Sequence, residues 1–131
     1  MTRETPVHHS LLTLFASAAV LLAACWAPND LEFYTGTLFP QEYHGGAFVA
    51  FHGSWNRAPL PQGGYNVAFA PFLGEHARGD WSIFADGFAG EELSPNGANH
   101  RPVGLAQGPD GSLFISDSQV GRIWRIIYVG R

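Results

Sequence analysis

The run Gly46-Ala47-Phe48-Val49-Ala50-Phe51-His52-Gly53-Ser54-Trp55-Asn56-Arg57 concentrates the groups best suited to chemistry. A hydrophobic strand runs into a loop that carries an imidazole, a hydroxyl, an indole, an amide and a guanidinium. Loops held by a rigid strand commonly present such clusters to a ligand. His52 can donate a hydrogen bond, Trp55 offers a flat face for stacking, and Arg57 can grip a carboxylate through two parallel bonds. The competing readings are structural: His52 bracing its own loop, Trp55 packing beneath it, and Arg57 solvated. Asn56 fits a loop-fixing role through its side chain.

A related layout returns at Gly111-Ser112-Leu113-Phe114-Ile115-Ser116-Asp117-Ser118. The two units align along their length. Residues 28–33 match 102–107 as a first strand, 46–54 match 111–119 as a second, and 64–69 match 121–126 as a third. Apolar runs at 31–34, 47–51, 65–70, 81–85, 103–106, 112–116 and 121–128 read as seven short strands. Sixteen Gly and nine Pro between these runs supply turns, as at Pro109-Asp110-Gly111. No helical period of more than ten residues appears after Ala27. Repeated four-stranded antiparallel units are the blades of a β-propeller. The expectation is an all-β fold of about two blades, the second lacking its fourth strand, as a piece of a larger ring. Trp81, Phe84, Phe114 and Trp124 are expected in the core.

In such a blade, the connection into strand one and that between strands two and three lie at the same end. Arg101, at the start of a first strand, should therefore meet His52–Arg57 and Asp117–Gln119 at one rim. A surface ion pair with Asp117 or Glu92 is the bland alternative for Arg101. His44, His76 and His100 lack the spacing of a metal cluster and read as loop or surface residues.

The 131 residues are 46% hydrophobic and carry a net charge of −4. An acidic chain without a basic cluster argues against nucleic acid as partner. The seven basic residues are all Arg, which suits planar carboxylate recognition and equally a GC-rich coding sequence. Residues 1–26 read as a leader. Leu11 to Ala24 are uncharged and would span about 21 Å as a helix, short for a membrane crossing and suited to an export signal. Leu22-Ala23-Ala24-Cys25 resembles a bacterial lipoprotein processing site, which makes Cys25 the acylated residue and implies a periplasmic or lipid-anchored protein. The basic flank is thin, with Arg3 opposed by Glu4. Cys25 is the only cysteine, so no intrachain disulfide forms.

From Ala27 onward the chain resembles the C-terminal part of the soluble pyrroloquinoline quinone (PQQ)-dependent sugar dehydrogenases, in their sorbosone and pyranose dehydrogenase branch. The resemblance rests on Phe33-Tyr34-Thr35-Gly36, Phe39-Pro40, the run from Gly46 to Arg57, Gly64-Tyr65, Arg101-Pro102-Val103-Gly104, Pro109-Asp110-Gly111, Ser116-Asp117 and Gly121-Arg122-Ile123-Trp124-Arg125-Ile126. It implies a six-bladed propeller with PQQ and calcium on one face and oxidation of an aldose or related aldehyde. Arg101 matches an arginine that meets the cofactor, while Asn99 stands where the family carries a second one. His52, Trp55 and Arg57 lie on the loop that contacts the quinone. The resemblance also implies that the general-base histidine and the calcium ligands belong to earlier blades, so this chain alone is expected to be inactive. The alternative is an exported, non-catalytic propeller module that binds carbohydrate or protein. Open blade edges are expected to pair with another chain.

Overall fold

A computed structural model describes residues 24–130. The expected helical leader lies outside the described residues up to position 23. Its end, Ala24–Trp26, forms a single 3-10 turn in which Cys25 is free and exposed.

Nine strands follow, all paired antiparallel. β1 (Pro28–Phe33), β2 (Ala47–Phe51), β3 (Asn66–Ala70) and β6 (Ser82–Ala85) make a four-stranded sheet in the order β1-β2-β3-β6. β7 (Pro102–Gln107), β8 (Leu113–Asp117) and β9 (Ile123–Ile126) make the second sheet. The fold is that of a β-propeller fragment with two blades, the second one strand short. A two-stranded hairpin of β4 (Phe72–Leu73) and β5 (His76–Ala77) is an addition that the strand pattern did not announce.

The internal repeat extends to irregularities. Both first strands carry a register shift at equivalent places, between Pro28 and Asp30 and between Pro102 and Gly104. A bulge bends and twists its strand, so the two sheets share one curvature. The Pro109-Asp110-Gly111 turn forms as expected: Gly111 takes φ +83°, and Asp110 Oδ1 accepts from the Ser112 hydroxyl. The Ser112 hydroxyl and backbone bonds, with Arg125, lower the Asp110 carboxyl to about 2.

The core lies between the sheets. Tyr34, Phe48 and Val67 from the first blade pack with Leu113 and Ile115 from the second, and all five are fully buried. Trp81, Phe84, Phe114 and Trp124 are half-buried and border the core instead of filling it. Polar bonds fix how the blades meet. Asp30 Oδ2 accepts from the Leu105 N–H at 2.7 Å, and Gln107 Oε1 accepts from the N–H groups of Thr35 and Gly36. Asp30 thereby satisfies a donor on the free edge of β7.

Candidate functional site

The site is built where β2 and β8 end. The segment ahead of β1 pins the end of β2: the His52 N–H donates to the Ala27 carbonyl, and the Gly53 N–H to that of Trp26, both at 2.9 Å. Trp26 is anchored in turn by edge contacts with Phe51 and Trp81. In the second blade, the Ser118 N–H donates to the Arg101 carbonyl, which draws the end of β8 to the start of β7.

His52 and Arg101 meet at this rim, as the blade geometry requires. Arg101 Nε donates to the His52 carbonyl and Nη2 to the Gly53 carbonyl, each at 3.1 Å. The residue is only 7% exposed, and its guanidinium lies over the Tyr65 ring, 5.5 Å from the centroid. The expected ion pair with Asp117 or Glu92 is not made. Asp117 instead accepts from the Arg101 backbone N–H at 2.7 Å, and Glu92 accepts from the Ser94 hydroxyl. Nη1 of Arg101 has no protein acceptor among the described residues.

Asp117 organises the cluster. Its carboxylate also accepts from the N–H groups of Gln119 and Val120 and from His100 Nδ1 at 3.0 Å. Burial opposes its charge, but these donors outweigh burial and hold the carboxyl far below the usual range. His52 Nε2 shares a hydrogen bond with Ser118 Oγ at 2.8 Å. Burial, then the nearby Arg101 charge, lowers the His52 pKa, with Asp117 pulling the other way. A neutral imidazole and a guanidinium therefore stand together.

Trp55 and Arg57 lie further along the loop. Trp55 is 73% exposed, and Arg57 Nη1 turns back to the Pro61 carbonyl at 2.9 Å. No hydrogen bond among the described residues joins either side chain to His52 or Arg101. The loop is closed by its own bonds: Ser54 N–H to the Gly63 carbonyl, Gly63 N–H to Ser54 Oγ, and Tyr65 Oη to the Ser54 carbonyl. His100, read from the sequence as a loop residue, is half-buried against Trp124 and oriented by Asp117. Its place beside Arg101 was the available signal. Asp117 and Ser118 were legible only as the end of a second strand.

The arrangement can offer a planar anion the free edge of one guanidinium, beside a neutral imidazole able to hydrogen-bond an oxygen. Among the described residues no three His, Cys, Asp or Glu side chains converge as a metal site.

The chain is similar to a PQQ-dependent pyranose dehydrogenase of Coprinopsis cinerea, 36% identical over 124 aligned positions that cover 82% of this chain and 16% of that enzyme. It is also similar to an uncharacterised protein of Borreliella burgdorferi, 33% identical over 118 positions that cover 88% of this chain and 30% of that one. The chain thus spans under a third of the length of these curated relatives. No solved structure matches it. Residues 12–128 match the TrAA12-like family, starting inside the apolar run read as a leader. By that match the chain belongs to the TrAA12-like family, which is related to the PQQ-dependent sugar dehydrogenases.

Proposed function

We propose that this chain forms part of the quinone-binding mouth of a propeller that oxidises aldoses or related aldehydes of the sorbosone type with PQQ. The contact between Arg101 and His52 carries this reading, because it gathers a cation and a neutral imidazole at one rim. PQQ supplies an ortho-quinone that takes up hydride from the substrate carbon. Arg101 holds a cofactor carboxylate through Nη1 while Nε and Nη2 keep the loop in place. His52 donates to a quinone oxygen, and Trp55 and Arg57 flank the opening. Calcium ligands and the base that takes the substrate proton are assigned to segments outside this chain, so the chain alone does not turn over.

Titrating PQQ into the full chain, followed by tryptophan fluorescence, tests the reading. Saturable quenching that Arg101→Ala abolishes supports it, and linear quenching refutes it. With PQQ and calcium present, dye reduction by aldoses should not exceed that of free PQQ.

A second reading, a carbohydrate- or protein-binding module without catalysis, is favoured by the exposure of Trp55. Saccharide affinity that Trp55→Ala removes, with no affinity for PQQ, would select it. We also assign export to Leu11–Ala24 and acylation to Cys25, which places the protein in the periplasm or on its membrane. Intact mass after expression in a lipoprotein-processing host checks that assignment. β9 pairs only with β8, and Ile123 on it is 68% exposed. A strand from another chain is the proposed partner of that edge.

A further inference from the structure

A second polar site lies where β3 begins and β6 ends. Val67 pairs with Ala85, so the register brings Asn66 beside Asp86. The Asn66 side chain is almost wholly enclosed, with the residue 7% exposed. Its Nδ2 donates to the Gly64 carbonyl at 3.1 Å. That bond fixes the amide orientation, because a flipped amide would set oxygen against oxygen. Oδ1 is left buried without a donor. A buried acceptor without a partner is destabilising, and it marks a place where a donor is wanted.

Asn66 lines a cleft of about 310 Å³ together with Asp86, Glu91, Ile83 and Leu93. No Lys, Arg or His side chain lines it. Its polar side chains therefore accept hydrogen bonds, apart from the committed Asn66 amide and the Tyr65 hydroxyl, which is engaged on Ser54. Ile83 and Leu93 are exposed apolar groups on the same surface. Acceptors beside an apolar wall match a molecule with many hydroxyl donors on its rim and C–H groups on its face.

We propose that the cleft of Asn66, Asp86 and Glu91 is a saccharide subsite, in which one sugar hydroxyl donates to Asn66 Oδ1 and others to the two carboxylates. The choice of sugar as ligand rests on the sugar-oxidising reading above; the need for a donor does not. A hard cation is the weaker occupant, since no three metal-ligating side chains of the usual kinds converge among the described residues. Asp86 and Gly87 also line a neighbouring cleft of about 370 Å³ with His100, Arg122 and Trp124. A saccharide longer than one ring would therefore extend from Asn66 toward His100, the neighbour of Arg101.

The test uses the full chain without PQQ. Methyl β-D-glucopyranoside and cellobiose are titrated by saturation-transfer NMR and calorimetry, with a fully O-methylated glucoside as the donor-free control. Saturable binding, tighter for cellobiose and absent for the control, is expected. Asp86→Ala and Glu91→Ala alter exposed residues and leave folding intact; each should weaken binding by about tenfold. Asn66→Leu should weaken it as well, but the exposed pair decides if that variant does not fold. No saccharide signal at about 50 mM, well above millimolar affinity, overturns the proposal. So does unchanged affinity in both exposed variants, or stabilisation by calcium ion alone that Asp86→Ala removes. PQQ titration of the same variants separates the two sites: lost quinone affinity with saccharide binding intact refutes the proposed function and leaves this subsite standing.

Discussion

Tyr34 Oη donates to the Gly111 carbonyl at 2.8 Å across 77 positions of sequence, joining the end of β1 to the turn ahead of β8. The same oxygen accepts from the Phe39 N–H at 3.0 Å. One fully buried phenol thus satisfies a donor and an acceptor at the interface between the blades, while its ring stacks on Phe39.

Tyr34→Phe keeps the ring and strands both partners. Each orphaned buried group costs about 1–3 kcal/mol, so urea denaturation should show a loss within or above that range at an unchanged m-value. A loss below about 0.5 kcal/mol, the size of an ordinary surface substitution, would mean that the blades do not depend on this bond.

Arg101→Lys should behave as a disruptive change despite the retained charge. The guanidinium serves two successive carbonyls, His52 and Gly53, with two nitrogens set by one plane. An ammonium on a flexible stem lacks that fork. Bonds from a charged donor contribute about 1.5–3 kcal/mol each. Hydrogen exchange should accelerate at the 52–65 loop while the β7–β8 ladder stays protected. Equal protection of the loop in wild type and variant would show that Arg101 does not hold it.

The repeat explains why most of the fold was legible. Aligning the two units set the first strands at 28–33 and 102–107, the bounds that form, because both end in the same turn chemistry. The hairpin of β4 and β5 escaped notice, since two residues per strand leave no alternation to read. The shared rim of His52 and Arg101 followed from strand direction alone. The division of labour there did not: whether a guanidinium faces ligand or backbone depends on which carbonyls come within reach. His100 was misjudged for the same reason, because its partner Asp117 lies 17 residues on. Large aromatics were over-weighted as core, whereas the interior is built by Tyr34, Phe48, Leu113 and Ile115.

Stability should fall as pH drops from 7 to 5, in part through His52. Burial and the Arg101 charge lower its pKa from 6.5 in the folded chain, so the unfolded chain binds the proton more readily. The stabilisation is complete above 6.5 and is lost as pH falls through the lower folded value. Asp117 acts in a more acidic window. Its depressed carboxyl stabilises fully above the ordinary value of 3.8 and is lost only as pH falls toward the folded one. His52→Gln, which keeps a bond to Ser118 available, should flatten the decline between pH 7 and 5 and leave the acid limb unchanged. Identical profiles from guanidinium melts would remove His52 from the account.

Gly53→Ala should be the most damaging single-methyl change at the rim. The residue sits at φ +103°, a region that residues with a Cβ rarely adopt, and strain there costs about 1–3 kcal/mol. A Cβ would also run into the Tyr65 ring. That ring cannot step aside, because its hydroxyl is bonded to the Ser54 carbonyl at 3.0 Å and Arg101 covers it. Overpacking of this kind adds about 1–3 kcal/mol. The loss on denaturation should therefore reach about 2–6 kcal/mol, and PQQ affinity should fall with it, since the Gly53 carbonyl positions Arg101. Gly45→Ala is the internal comparison. It shares a positive φ, but no atom lies within 4 Å of its added carbon. Only the backbone cost should appear there, and equal losses at the two sites would show that Tyr65 yields.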